Sequence, residues 1–72
     1  MQEILQKLGD RIRNERQQKG FSQEAFAKEC GLHRTAMGLL EHGRSIPKLD
    51  TLLTIAEHLG LSLSSLLEGL GH

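Results

Sequence analysis

Apolar residues return at helical spacing in five stretches of the chain, and Gly20, Gly31, Gly43 and Gly60 each stand just past one of them. Glycine there closes a helix at little cost, because it enters the left-handed region freely. The first stretch predicts a helix from about Gln2 to Lys19, with Leu5, Leu8 and Ile12 on one face and Arg11, Arg13, Arg16 and Lys19 mostly off it. Gly9 is its weak point, costing roughly 1 kcal/mol against Ala, so the regular helix is expected to begin at Gln2 or only near Gly9. Ser22 is a good N-cap for a short second helix whose inward face is Phe26, Ala27 and Cys30. A third helix is predicted from about Arg34 to His42, with Met37 and Leu40 turned inward beside Leu32. The fourth follows Pro47 and runs to Leu59; its many apolar positions (Leu49, Leu52, Leu53, Ile55, Ala56, Leu59) mark it as the central helix. Ser62 caps a last helix over 62–70, where Leu63, Leu66, Leu67 and Leu70 share a face.

Composition narrows this to one all-α domain over residues 1–72. In 72 residues with no Trp or Tyr and few strand-favouring residues, one small core is expected and no separate ligand-sensing unit. No apolar run approaches the roughly 20 residues of a membrane span, and MQEILQKLGDRIR is charged and amphipathic, unlike a signal peptide. The expected setting is the cytoplasm. The lone Cys30 cannot form an internal disulfide, which fits a reducing compartment.

The net charge of zero hides an asymmetry. Every Lys and Arg lies in the first 48 residues, which carry +3, while Leu49 to His72 holds Asp50, Glu57 and Glu68 and no base, for −3. One end suits a polyanion and the other does not. Catalysis finds no support: there is no glycine-rich phosphate loop, nucleophile elbow or carboxylate pair with a pocket. Cys30, His33, His42 and His58 are zinc-type residues at spacings that do not suit a site, and Cys30 falls at an inward position. Neither a metal nor another cofactor is expected.

From Ser22 to His42 the two short helices are joined by Cys30-Gly31-Leu32-His33, a four-residue turn that can lay the second helix in a major groove. The segments LGDRIRNERQQKGFSQEAFAKECGL, HRTAMGLLEHG and PKLDTLLTIAEHLGLS resemble the phage-repressor-type (lambda repressor-like, Xre-type) helix-turn-helix family over roughly residues 8 to 68. The Arg-rich first helix, Ser-Gln-Glu, Gly-Leu in the turn, Glu-x-Gly and the Leu-rich fourth helix agree in order and spacing. The Arg-Thr pair opening the third helix also resembles restriction-modification controller proteins.

The resemblance implies a compact five-helix domain that regulates transcription by binding double-stranded DNA, as a homodimer on an inverted-repeat operator, by repression or, if controller-like, also by activation. It implies that Gln23 contacts a phosphate, a role a helix N-terminus favours, against the alternative of a merely exposed helix start. Arg34, Thr35, Gly38 and Leu39 point away from Met37 and Leu40 and are the base-contacting candidates. Arg34 can donate to guanine O6 and N7, worth roughly 1 to 3 kcal/mol of discrimination, and Thr35 and Leu39 can touch a thymine methyl. Gly38 either lets the backbone approach the groove or relieves packing against the second helix. His33 stands where the family places Ser or a similar cap; histidine caps less well, and its other readings are a phosphate donor or a solvated side chain. Arg44, Ser45 and Lys48 match the family's backbone-gripping loop, where Ile46 is less polar than usual; a solvated loop is the alternative. Arg16 and Glu41 match positions that pair the first and third helices, expected as a surface ion pair worth 0 to roughly 1 kcal/mol. Leu63, Leu66, Leu67 and Leu70 read as a dimer interface, as core, or as the contact of an antitoxin-like module with another protein. RNA polymerase is a further candidate partner.

Overall fold

The computed structural model describes residues 2–71. Five helices follow in order: α1 Gln2–Gln18, α2 Gln23–Glu29, α3 Arg34–Glu41, α4 Leu49–Leu59 and α5 Leu63–Leu67, with no strand among the described residues. The all-α, five-helix reading therefore holds. Four helix ends close in one way: Phe21, Leu32, Arg44 and Leu61 each donate a backbone N–H to the carbonyl five residues back, at 2.8 to 3.2 Å. The residue before each donor is a glycine at positive φ. At the other ends, Ser22 Oγ accepts from the Ala25 N–H at 3.1 Å and Ser62 Oγ from the Ser65 N–H at 3.0 Å.

α1 is the helix that the other four pack against. It is regular from Gln2, through Gly9. Gly9 is buried because the end of α3 rests on it: a Cβ there would collide with the carbonyl oxygens of Leu40 and Glu41, the latter 2.6 Å away. The helix-propensity cost of Gly9 thus secures a close crossing of α1 and α3. α4 is not central. Ile55, Ala56 and Leu59 enter the core, but Leu49 and Leu53 remain 63% and 43% exposed, so the surplus of apolar positions goes to the surface.

The core joins Leu8 and Ile12 of α1 to Phe26 and Ala27, Met37 and Leu40, Ile55, Ala56 and Leu59, with Leu66 and Leu70 from the C-terminal end. Here the last apolar face departs from expectation. α5 stops at Leu67, and a turn with Gly69 at φ 75° brings Leu70 back inward. Leu66 and Leu70 are core residues of this chain and are not available as an interface, while Leu67 is exposed and Leu63 half-buried. A five-residue helix leaves most of its carbonyls unpaired. Arg11 answers them from α1, its Nη1 donating to the carbonyls of Leu66 at 3.1 Å, Ser65 at 3.4 Å and Glu68.

Candidate nucleic-acid interface

The site is built on one buried ion pair. Leu8, Ile12 and Arg16 lie four residues apart on α1, so Arg16 continues the apolar stripe into the interior instead of leaving it. Its Nε donates to Glu41 Oε2 at 2.7 Å and its Nη2 to Glu41 Oε1 at 2.9 Å. The third nitrogen, Nη1, donates to the Phe21 carbonyl at 2.8 Å. With 8% and 1% of the two side chains exposed, this is no surface pair, and the weak coupling expected from sequence is corrected accordingly. Gln23 joins the network, its Nε2 donating to Glu41 Oε1 at 3.2 Å. One carboxylate therefore ties α1, the start of α2 and the end of α3 into a fixed arrangement.

That lock sets the outward face of α3. Met37, Leu40 and Glu41 are buried, which turns Thr35 and Leu39 to solvent. Arg34 and Gly38 lie on the flank toward α2. Arg34 Nη1 stands 3.5 Å from Glu24 Oε2, both side chains largely exposed, so the guanidinium is held loosely over the first turn of α2. Glu24 was not singled out from sequence, since ten residues separate it from Arg34. Gly38 is half-buried beside Gln23; a Cβ there would meet Gln23 Oε1 at 3.5 Å, an ordinary contact. Packing against α2 accordingly does not require glycine.

His33 is a working cap. Its Nδ1 accepts from the Thr35 N–H at 3.1 Å, which places the ring proton on Nε2, directed away from the helix as a hydrogen-bond donor. The doubt that histidine raised about the start of α3 is thereby resolved.

The loop after α3 leaves at Gly43, whose φ is +68° and whose Cα side presses on the backbone of Gln6: a Cβ would lie 2.9 Å from Gln6 Cα. No residue but glycine fits both constraints. The loop is thus pinned to α1, with Arg44 and Lys48 exposed and Ser45 half-buried. Arg44 and Ser45 border an open trough of about 830 Å³ together with His42, Gln2 and Gln6. Gln23, Arg34, Thr35, Gly38, Leu39 and the loop bases therefore all belong to the α2–α3–loop end of the molecule, and Asp50, Glu57 and Glu68 follow it in α4 and beyond.

Cys30 belongs to the core beneath this end. It is 9% exposed, and burial, with the nearby charge of Glu29, pushes its thiol up from 9.0 to about 11. Among the described residues no group of three or more His, Cys, Asp or Glu is placed to hold a metal ion. No described helix is long and apolar enough to cross a membrane.

Comparison with known proteins agrees with this geometry. A family model described as helix-turn-helix matches residues 12–66. The SPbeta prophage-derived HTH-type transcriptional regulator YonR of Bacillus subtilis is 38% identical over 62 residues, 86% of this chain and 57% of the relative. The chain thus spans a little over half of that regulator's length. The restriction-modification controller protein C.AhdI from Aeromonas hydrophila has a similar structure, with a TM-score of 0.82 at 37% identity, over 86% of this chain and 94% of the controller. The P22 c2 repressor, solved in complex with synthetic operator 9T, gives a TM-score of 0.80 at 31% identity, again over 86% of this chain and 94% of the other.

Proposed function

The chain belongs to the helix-turn-helix family of DNA-binding transcriptional regulators, and from that membership we propose that it works as a homodimer on an inverted-repeat operator. In this reading α3 enters the major groove. Arg34, Thr35 and Leu39 meet base edges, and Gly38 lets the backbone come close. Gln23, His33, Arg44, Ser45 and Lys48 grip phosphates on either side, with His33 donating from Nε2. Occupancy in the cytoplasm blocks polymerase, giving repression; a controller-like arrangement of sites would add activation.

The observation that carries this reading is the buried Arg16–Glu41–Gln23 network. A charged network at the heart of so small a domain adds little net stability. Its effect is geometric, since it fixes α3 against α1 and α2 while the opposite face of α3 stays free.

Dimerisation is supported by apolar surface that the core leaves over. Leu49 and Leu53 on α4 and Leu67 on α5 are exposed, and Leu63 is half-buried. A two-fold pair joined there would set two recognition helices roughly 34 Å apart, one turn of DNA. Selection from a random duplex library at physiological salt tests the whole reading. Enrichment of an inverted repeat with half-sites about one turn apart supports it. Enrichment of nothing contradicts it and favours a chain whose partner is another protein.

A further inference from the structure

The two flanks of α3 differ in chemistry. Toward α2 lie the polar Gln23, Glu24 and Arg34 with Gly38. Toward the α3–α4 loop lies a shallow trough of about 300 Å³, bounded by Ala36 and Leu39 on the helix and by Ile46 and Pro47 on the loop, with Ser45 and Lys48 at its border. Ile46 is 69% exposed, the most of any large hydrophobic side chain among the described residues, and Leu39 is 42% exposed. Two aliphatic side chains are thus left partly in water beside the groups proposed to grip phosphates.

A duplex offers few apolar groups to such a trough. In the major groove the base edges present hydrogen-bond donors and acceptors and one apolar substituent, the 5-methyl of thymine. Deoxyribose carbons form the other apolar surface, and every nucleotide has them. The trough is continuous with the outward face of α3, and its border carries Lys48, which a neighbouring phosphate would meet. Resting on the DNA-binding reading above, we propose that Leu39 and Ile46 hold the 5-methyl group of one thymine in each half-site, against Ala36 and Pro47. This makes Ile46 a specificity-determining residue although it lies outside the recognition helix.

The test removes only the methyl. In the duplex enriched on the wild-type protein, each thymine is replaced in turn by deoxyuridine and binding is followed by fluorescence anisotropy at fixed salt. One thymine per half-site is expected to lose about three- to fivefold in affinity when its methyl is absent, the effect of one apolar carbon returned to water. Ile46→Ser should bind thymine and deoxyuridine versions of that position alike, and should match the wild type on the deoxyuridine duplex. Because Ile46 is mostly exposed, this variant is expected to keep the wild-type melting temperature, and Leu39→Ala is a second variant with the same expected loss of methyl dependence. Tight binding with no methyl dependence at any thymine overturns the proposal and leaves a sugar contact, as does a methyl effect that survives both substitutions. Failure to enrich any duplex overturns the DNA-binding reading itself, so the two failures are distinguishable.

Discussion

The guanidinium of Arg16 and the carboxylate of Glu41 meet in a two-pronged contact of 2.7 and 2.9 Å inside the protein, joining residues 25 positions apart in the chain. Glu41→Gln keeps the shape and removes the charge, leaving Arg16 buried without its counter-ion. The expected loss is about 3 to 5 kcal/mol, close to the entire stability of a domain this small, read from urea unfolding. An Arg16→Met, Glu41→Leu double variant should recover much of that loss, because it removes both buried charges together. A Glu41→Gln protein as stable as the wild type would show that the pair does not hold the fold.

Gly38 separates folding from binding. A methyl at this position meets only Gln23 at 3.5 Å, so Gly38→Ala should raise stability by about 0.5 to 1 kcal/mol, the helix-interior difference between the two residues. If the backbone at Gly38 comes close to the groove as proposed, the same methyl should weaken operator binding by roughly tenfold, or 1.4 kcal/mol. Thermal melting and anisotropy titration of one preparation read both effects. Increased stability with unchanged affinity would mean that DNA does not use the space.

Cys30 provides a pH-dependent signal from the core. Its thiol holds its proton to about pH 11 in the fold, against 9.0 ordinarily, so the folded chain binds more protons than the unfolded one between those values. Stability should therefore be unaffected by this group below pH 9.0 and fall as pH rises through the window toward 11. The fall attributable to the thiol is at most about 3 kcal/mol, and it appears as the difference between wild type and Cys30→Ala in urea midpoints measured at pH 8 and 10. Parallel pH profiles for the two proteins would contradict the burial of the thiol.

The two adjacent leucines of α5 should behave oppositely. Leu66 is fully buried, and Leu66→Ala is expected to cost about 2 to 5 kcal/mol. Leu67→Ser should change stability by less than about 1 kcal/mol yet weaken self-association, as sedimentation velocity would record. A Leu67→Ser protein that dimerises like the wild type would move the interface away from α5.

Helix placement was legible because its signals are local. Serine before a helix and glycine after it act on the nearest backbone groups: Ser22 and Ser62 cap α2 and α5, and Gly20, Gly31, Gly43 and Gly60 follow the ends of α1 to α4, as the sequence implies. Contacts between distant segments were less legible. Arg16 reads from sequence as mostly off the face of Leu8 and Ile12, yet it is buried in line with them, because the arrival of Glu41 from α3 makes that burial tolerable. Gly9 reads as a flaw until the carbonyls of Leu40 and Glu41 are seen against it. The four-leucine face at the C-terminus requires an uninterrupted helix; the end at Leu67 and the turn after it divide that face between core and surface. The candidate DNA-facing residues were legible as positions, whereas the Glu24 partner of Arg34 and the Nδ1 cap of His33 depend on side-chain directions that spacing does not give.

In the proposed function the outward face of α3 reads DNA twice, once in each half of a symmetric site. The most direct measurement is a random-duplex selection run in parallel on the wild type and on Arg34→Ala, whose largely exposed side chain leaves the fold untouched. The expected result is an inverted repeat for the wild type and, for the variant, the same repeat with one base pair relaxed at the symmetry-related position of each half-site. An identical site from both proteins, or a site without two-fold symmetry, would contradict it.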